Sequence, residues 1–120
     1  MKLALISGII MFTILTAGIF TDASISKLCE KTEIDMENVI LLAQDGDLNE
    51  AVTLINQNIK KWQDQRIFFS VLQHHDMYDC LYSALMRAKQ YAVFENGALL
   101  AGESAAIIGI LDDIKSSDTL

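Results

Sequence analysis

The amino-terminal part of the chain is almost entirely apolar, and no other segment departs so clearly from a mixed pattern. Residues 3–20 carry no charged side chain. As an α-helix this segment would be about 27 Å long, close to the thickness of the hydrocarbon core of a bilayer. We therefore predict an uncleaved transmembrane helix, with residues 1–21 as a membrane anchor. A cleaved signal peptide and a buried core helix remain alternatives.

Downstream of this segment the apolar residues recur every three or four positions, which is typical of amphipathic helices. The pattern predicts four helices, over residues 22–44, 47–73, 76–94 and 98–115. The first of them can continue the apolar segment without a break, because no proline or glycine separates the two. The sequences Asp45-Gly46-Asp47 and Glu95-Asn96-Gly97 supply turns, since glycine and acidic or amide residues favour helix ends.

Short turns make neighbouring helices antiparallel, so the four helices are expected to form two hairpins. In both hairpins an acidic, glycine-containing turn precedes a helix with an alanine near its start, Ala51 and Ala101. Tetratricopeptide repeats use a small residue in this way to bring two helices close together. The predicted fold is all-α: an N-terminal transmembrane helix followed by a four-helix, two-hairpin tetratricopeptide-like bundle. Residues 22–120 would form one extracytoplasmic helical domain.

The charge balance narrows the choice of partners. The chain has 16 acidic and 9 basic residues, a net charge of −7. This disfavours nucleic acid, which requires clustered lysine and arginine. Lys2 precedes the apolar segment, whereas a net acidic stretch follows it. The positive-inside rule therefore predicts that the amino terminus is cytoplasmic and that the C-terminal domain lies outside the cell membrane.

The side chains that could bind a metal or take part in catalysis are densest in the sequence Gln-His-His-Asp-Met-Tyr-Asp-Cys, at the junction of the second and third predicted helices. His74, His75, Asp76 and Asp79 could ligate a metal, but their spacing matches no familiar zinc pattern and no second cluster accompanies them. A structural corner explains them better. Asp76 would cap the third helix and Asp79 would lie in its first turn. A pH-sensitive contact through the histidines is an alternative.

Other motifs of catalysis do not occur in the sequence. It lacks a Gly-x-Ser-x-Gly motif, a phosphate-binding glycine loop and a His-Glu-x-x-His motif. We therefore predict a protein that is not an enzyme and that needs no cofactor or small-molecule ligand. Cys29 and Cys80 are expected at different heights of the bundle, which favours two buried thiols over a disulfide. Trp62 is expected in the core.

The second half of the chain resembles an uncharacterised family, a domain of unknown function found in small membrane-anchored proteins of clostridia-like spore-forming Gram-positive bacteria. The resemblance depends on residues at matching spacings: Trp62, Phe69, His75, Asp79, Leu81, Leu85, Arg87, Lys89 and Tyr91. Met77 replaces the acidic residue usual two places after the histidine. The resemblance implies no established activity. It implies a partner in the membrane, because such proteins are often encoded near an uncharacterised multi-span membrane protein.

Taken together, these features predict a membrane-anchored, non-enzymatic interaction module that binds another membrane or envelope protein. The alternative is a metal- or pH-responsive sensor domain centred on the junction of His74 and His75.

Overall fold

A computed structural model describes the backbone of residues 2–71 and 75–116, together with the side chains of residues 5–10, 25–71 and 75–116. The prediction of an all-α fold is confirmed for these residues. They form five helices: α1 (Lys2–Asp45), α2 (Leu48–Gln63), α3 (Arg66–Val71), α4 (His75–Val93) and α5 (Gly97–Ser116).

Helices α1, α2, α4 and α5 form a closed four-helix bundle. Each packs against the next, and α5 returns to α1 to make the most extensive of these interfaces. In a stack of helical repeats each unit contacts only its neighbours, and the first and last helices do not meet. The four helices therefore form a bundle and not an array of stacked repeats. Periodicity shows that a helix has an apolar face, but it does not show which helix covers that face.

Helix α1 extends well beyond the bundle. At about 1.5 Å per residue, a helix of this length measures roughly 66 Å, which accounts for the 67 Å long dimension of the molecule. Among its described side chains, the first to be buried is Ile25. In the N-terminal part of the helix, Leu5, Ile6, Ile9 and Ile10 are all exposed.

The predicted transmembrane helix is wrong. Among the residues that the structure describes, no helix is both long and apolar enough to cross a membrane. A span requires roughly 20 consecutive, mostly apolar residues, because lipid cannot hydrogen-bond to polar groups. The described part of α1 supplies no such stretch, so the membrane anchor assigned to residues 1–21 is not supported either. The extracytoplasmic location of residues 22–120 stays a prediction.

The turn between α1 and α2 forms as the sequence predicts. Gly46 adopts a φ of 78°, a left-handed conformation that side chains disfavour. Asp47 then caps α2, since its carboxylate accepts a hydrogen bond from the backbone N–H of Glu50 at 3.4 Å. This bond satisfies one of the free N–H groups at the start of the helix.

The turn between α4 and α5 uses a different residue from the one expected. Glu95, not Gly97, has the left-handed conformation, with a φ of 59°. Asn96 caps α5 by accepting a hydrogen bond from the N–H of Leu99 at 3.1 Å. Gly97 instead allows close packing, because a Cβ atom there would lie 3.1 Å from the carbonyl oxygen of Ala43 on α1.

The helix predicted over residues 47–73 is broken. Helix α2 ends at Gln63, and the N–H of Gln65 bonds back to the carbonyl of Trp62 at 3.0 Å. Helix α3 then starts at Arg66. The break brings the ring of Phe69 to 6.0 Å from that of Trp62, and this contact offsets the lost helical hydrogen bonds.

The core is apolar, with a polar contact between α1 and α2 at its centre. Trp62 is completely buried, as predicted, and its Nε1 donates a hydrogen bond to the hydroxyl of Thr32 at 3.0 Å. One turn away along α2, Asn58 donates to the carboxylate of Asp35 at 3.0 Å. These two contacts fix the axial register of the antiparallel helices α1 and α2, because a buried donor is costly to leave unpaired.

Candidate functional site

Several residues of the family-like motif meet at one end of the bundle, which we call the base. The base is the end where α2 stops, α3 lies and α4 begins. Trp62 closes α2, Phe69 lies on α3, and His75 and Asp79 belong to the first turns of α4. The break between α2 and α3 brings these residues together, although they are spread over 18 positions of the sequence.

A continuous series of aromatic contacts holds the base together. From Trp62 the series passes to Phe69, then to Tyr78 at 5.9 Å between ring centroids, then to Tyr82 at another 5.9 Å. The last two rings are stacked, with 14° between their planes, and Phe68 packs edge-on against Phe69. Each aromatic pair stabilises a fold by about 0.5–1.5 kcal/mol beyond the burial of its area. The series therefore gives the site a rigid wall.

Two adjoining cavities open at this wall, and together we call them the base pocket. Their volumes are about 410 and 230 Å³. Arg66, Tyr78 and Asp79 line both of them. The larger is completed by Gln63 and Tyr82, and the smaller by Phe69, Ser70 and His75. Concave sites with aromatic walls and a few polar groups are the usual form of binding pockets.

Arg66 and Asp79 carry opposite charges in the base pocket but do not pair. The ion pairs of the described residues join Arg87 to Glu103, and Lys115 to Glu33 and Asp112. Neither Arg66 nor Asp79 takes part in one, and both side chains are exposed. With respect to the described residues, the guanidinium thus keeps free donors and the carboxylate keeps free acceptors.

Tyr78 lines both cavities together with these two charges. Its ring is almost completely buried. Burial raises the pKa of its hydroxyl, and the nearby Tyr82 and Asp79 raise it further, against a smaller opposing effect of Arg66. The hydroxyl therefore keeps its proton at neutral pH and can donate a hydrogen bond.

An apolar surface adjoins the base pocket. Arg66 and Ser70 of α3 line the pocket, and their neighbours Ile67 and Val71 form the next stripe of the same helix. Ile67 is 78% exposed and Val71 is 74% exposed. Together these two neighbouring side chains form an exposed apolar patch, and contiguous patches often mark interaction sites.

Two further residues that carry the family resemblance, Arg87 and Tyr91, lie far from the base. Arg87 and Tyr91 are about 18 and 24 Å farther along α4 from His75, at about 1.5 Å per residue. Arg87 forms an ion pair with Glu103 of α5 at 2.9 Å. The carbonyl of Tyr91 accepts from the N–H of Asn96 in the turn after α4. Their contacts therefore support the second hairpin instead of the pocket.

The histidine junction does not form a metal site within the described chain. No group of three or more His, Cys, Asp or Glu side chains is arranged to hold a metal ion among residues 2–71 and 75–116. His74 lies outside the described residues. Helix α4 already begins at His75, so Asp76 lies within its first turn and does not precede the helix as the predicted cap. No hydrogen bond of the His75 side chain is found among the described residues.

Asp76 faces another part of the surface, away from the base pocket. With Met77 and Cys80 of α4 it lines a cavity of about 240 Å³ against Ile110, Asp113 and Ile114 of α5. No disulfide joins Cys80 to Cys29. Cys29 is completely buried, whereas Cys80 is exposed, so the expectation of two buried thiols is confirmed only for Cys29.

The sequence pattern did not reveal most residues that line the base pocket. The pattern places Gln63 on the solvated face of a helix, and it gives no reason to distinguish Arg66 from the other polar residues of the predicted long helix. The spacing of Tyr78 and Tyr82, four residues apart on α4, was the one local signal, since such residues stack on a helix surface. The pocket depends on the break after Gln63, which neither proline nor glycine marks.

Comparison with known proteins adds a family but no activity. The family model DUF4363, described as a domain of unknown function, matches residues 19–120. No curated protein and no solved structure matches the chain at a significant level.

Proposed function

We propose that this chain, which belongs to the DUF4363 family, is a non-enzymatic helical interaction module that binds a partner protein at its base. The observation that carries the proposal is the position of Ile67 and Val71. These two exposed apolar side chains adjoin a pocket that presents unpaired polar groups. Apolar contact area beside a few directed polar groups is the usual composition of a protein–protein interface.

The class of partner follows from the family resemblance. We propose a protein of the cell envelope in a clostridia-like spore-forming Gram-positive bacterium. The net charge of −7 supports a protein partner over nucleic acid, because clustered basic residues are absent from the sequence.

Site-specific photo-cross-linking in the source cells tests the proposal. A photoreactive amino acid replaces Ile67 at the base, and in a matched control it replaces Ala98, which is exposed at the opposite end of the bundle. We expect one reproducible protein product from position 67 that position 98 does not give. Identical products from both positions, or none from position 67, would contradict the proposal.

Charge substitutions on the apolar surface provide a second test of the proposal. Ile67→Asp with Val71→Asp should remove the cross-linked product, detected from a photoreactive group at the neighbouring Ser70, because a carboxylate is costly to bury in an interface. Val93→Asp is the matched control, since Val93 is 55% exposed at the other end of α4. Both variants should melt within a few degrees of the parent, so a lost product reports binding and not unfolding.

A pH-responsive form of the module is the second candidate. His75 lines the base pocket together with Arg66 and Asp79. Protonation would add a second positive charge beside Arg66 and change which partner groups the pocket accepts. The test compares cross-linking between about pH 5 and pH 8, the range in which histidines titrate, in the parent and in His75→Gln. An identical pH profile in both proteins would remove this candidate.

A further inference from the structure

The two unpaired charges of the base pocket restrict the chemistry of its ligand. Arg66 and Asp79 line the same two cavities without forming an ion pair with each other. A carboxylate would be attracted by the guanidinium and repelled by Asp79. An ammonium group would be attracted by Asp79 and repelled by Arg66. A ligand with a single charge therefore satisfies one side of the pocket and opposes the other.

A neutral amide satisfies both sides. Its carbonyl oxygen can accept from the guanidinium of Arg66 or the hydroxyl of Tyr78, and its N–H can donate to the carboxylate of Asp79. Hydrogen bonds to charged groups are roughly twice as strong as those between neutral groups. A planar amide can also lie against the ring of Tyr82, which is only partly buried.

We propose that the base pocket binds a backbone amide of an extended peptide segment of the partner. The inference rests on the proposed function, because it supplies the chemistry of that partner. The segment must be extended or irregular, since an α-helix uses its N–H and C=O groups internally. Ile67 and Val71 would contact apolar side chains on either side of the bound amide.

The size of the pocket agrees with this ligand. Its larger cavity, of about 410 Å³, lies in the range of about 300–1,000 Å³ of small-molecule sites. Two other cavities of the described chain fit the proposal less well. The cavity between Asn38 and Glu50, of about 350 Å³, has carboxylates from Asp45 and Glu50 but no basic side chain in its lining. The cavity around Cys80 is lined by two aspartates and by no cation.

Three capped derivatives of leucine test the proposal by nuclear magnetic resonance titration of the full chain. N-acetyl-leucinamide is neutral, N-acetyl-leucine is an anion and leucinamide is a cation. We expect the neutral compound to shift the resonances of Tyr78, Tyr82 and Arg66, with an affinity at least about threefold above those of both charged compounds. Each charged compound keeps only one of the two amides and adds a charge that one side of the pocket repels, and a threefold loss of affinity corresponds to about 0.7 kcal/mol.

Substitutions in the pocket should change the order of affinities for the three compounds, and the two substitutions should change it in opposite directions. Arg66→Gln should favour the cation, and Asp79→Asn should favour the anion, each by about threefold or more. Both side chains are exposed, so neither change disturbs the core. Arg87→Gln is the matched control, because Arg87 pairs with Glu103 away from the base, and it should leave the order unchanged.

The outcomes separate this inference from the proposed function. Tighter binding of a charged compound, an unchanged order in both pocket variants, or the absence of shifts at the base would overturn the amide site. A partner cross-linked at position 67 would then still support the interaction module. The reverse result, amide binding without any cross-linked partner, would support the site and contradict the proposed function.

Discussion

The indole N–H of Trp62 donates a hydrogen bond to the hydroxyl of Thr32 at 3.0 Å, and both residues are completely buried. The same hydroxyl donates to the carbonyl of Leu28 at 2.8 Å. One small side chain thus links α2 to α1 and completes the hydrogen bonding of the largest residue in the core. The base, with its aromatic contacts, is built directly on this pair.

Thr32→Val should destabilise the protein by about 1–3 kcal/mol, because valine has the shape of threonine but leaves the buried indole N–H without an acceptor. Urea unfolding of the full chain measures the loss. Thr53→Val is the matched control. Thr53 also bonds to a carbonyl one turn back, but on the exposed face of α2, so its loss should stay within about 0.5 kcal/mol. Equal losses in the two variants would show that the indole bond is unimportant.

Glu95→Gly should stabilise the protein by about 0.5–1 kcal/mol. Glu95 has a φ of 59°, and a side chain in this left-handed region is unfavourable whereas glycine is not. Thermal melting followed by circular dichroism measures the change. Gly46→Ala provides the opposite test, because Gly46 has the same handedness in the other turn, and it should lower the stability by about 1 kcal/mol. A melting temperature that falls in Glu95→Gly would contradict this account of the turn.

Stability should depend on pH through Glu33. Burial raises the pKa of this carboxyl more than its bond with Lys115 lowers it. Because the folded pKa lies above the unfolded one, the folded state binds the proton more tightly. The contribution of Glu33 is therefore fully present below its ordinary pKa and is lost as the pH rises through the raised value.

Glu33→Gln removes this titration. We expect the stability of the parent relative to Glu33→Gln to fall as the pH rises from about 4 to about 7. The raised pKa of Lys115 affects stability only at alkaline pH, so it does not interfere. Urea unfolding at several pH values measures the difference, and a difference that grows with pH would show that the ion pair outweighs burial.

The two cysteines should differ in reactivity. Cys80 is exposed and Cys29 has no accessible surface, and a thiol must reach solvent to react. We expect a chromogenic disulfide reagent to modify one thiol per chain in the native protein and two in denaturant. Cys80→Ser should abolish the native reaction. Rapid modification of both thiols in the native protein would contradict the closed core.

Local features of the sequence predicted the positions of the helices well. The turns at Gly46 and Asn96 and the caps that follow them depend on neighbouring residues, and the helix ends lie within a residue or two of the expected ones at these turns. The break at Asp64 was missed because the pattern of apolar residues continues from Trp62 to Phe69. The break is accompanied by a contact between those two rings, which the spacing of apolar residues does not predict.

The candidate site was only partly predictable. The spacing of Trp62, Phe69, His75 and Asp79 identified residues that do meet at the base. The position of Arg66 in the pocket could not be predicted from the sequence, because an unpaired charge is defined by the absence of a neighbour in three dimensions. The packing of α5 against α1 could not be predicted either, since the apolar face of α5 could pack against several helices equally well.

The interface between α1 and α5 has a consequence for how the chain folds. Lys115 pairs with Glu33 across 82 positions of the sequence, and contacts of such long range form slowly because a large loop must be closed first. During synthesis, α1 leaves the ribosome long before α5 does. Its apolar face, including Cys29 and Met36, therefore stays uncovered until the last helix has been synthesised. The nascent chain is therefore exposed to aggregation over most of its translation, and binding by a chaperone during that interval would favour correct closure.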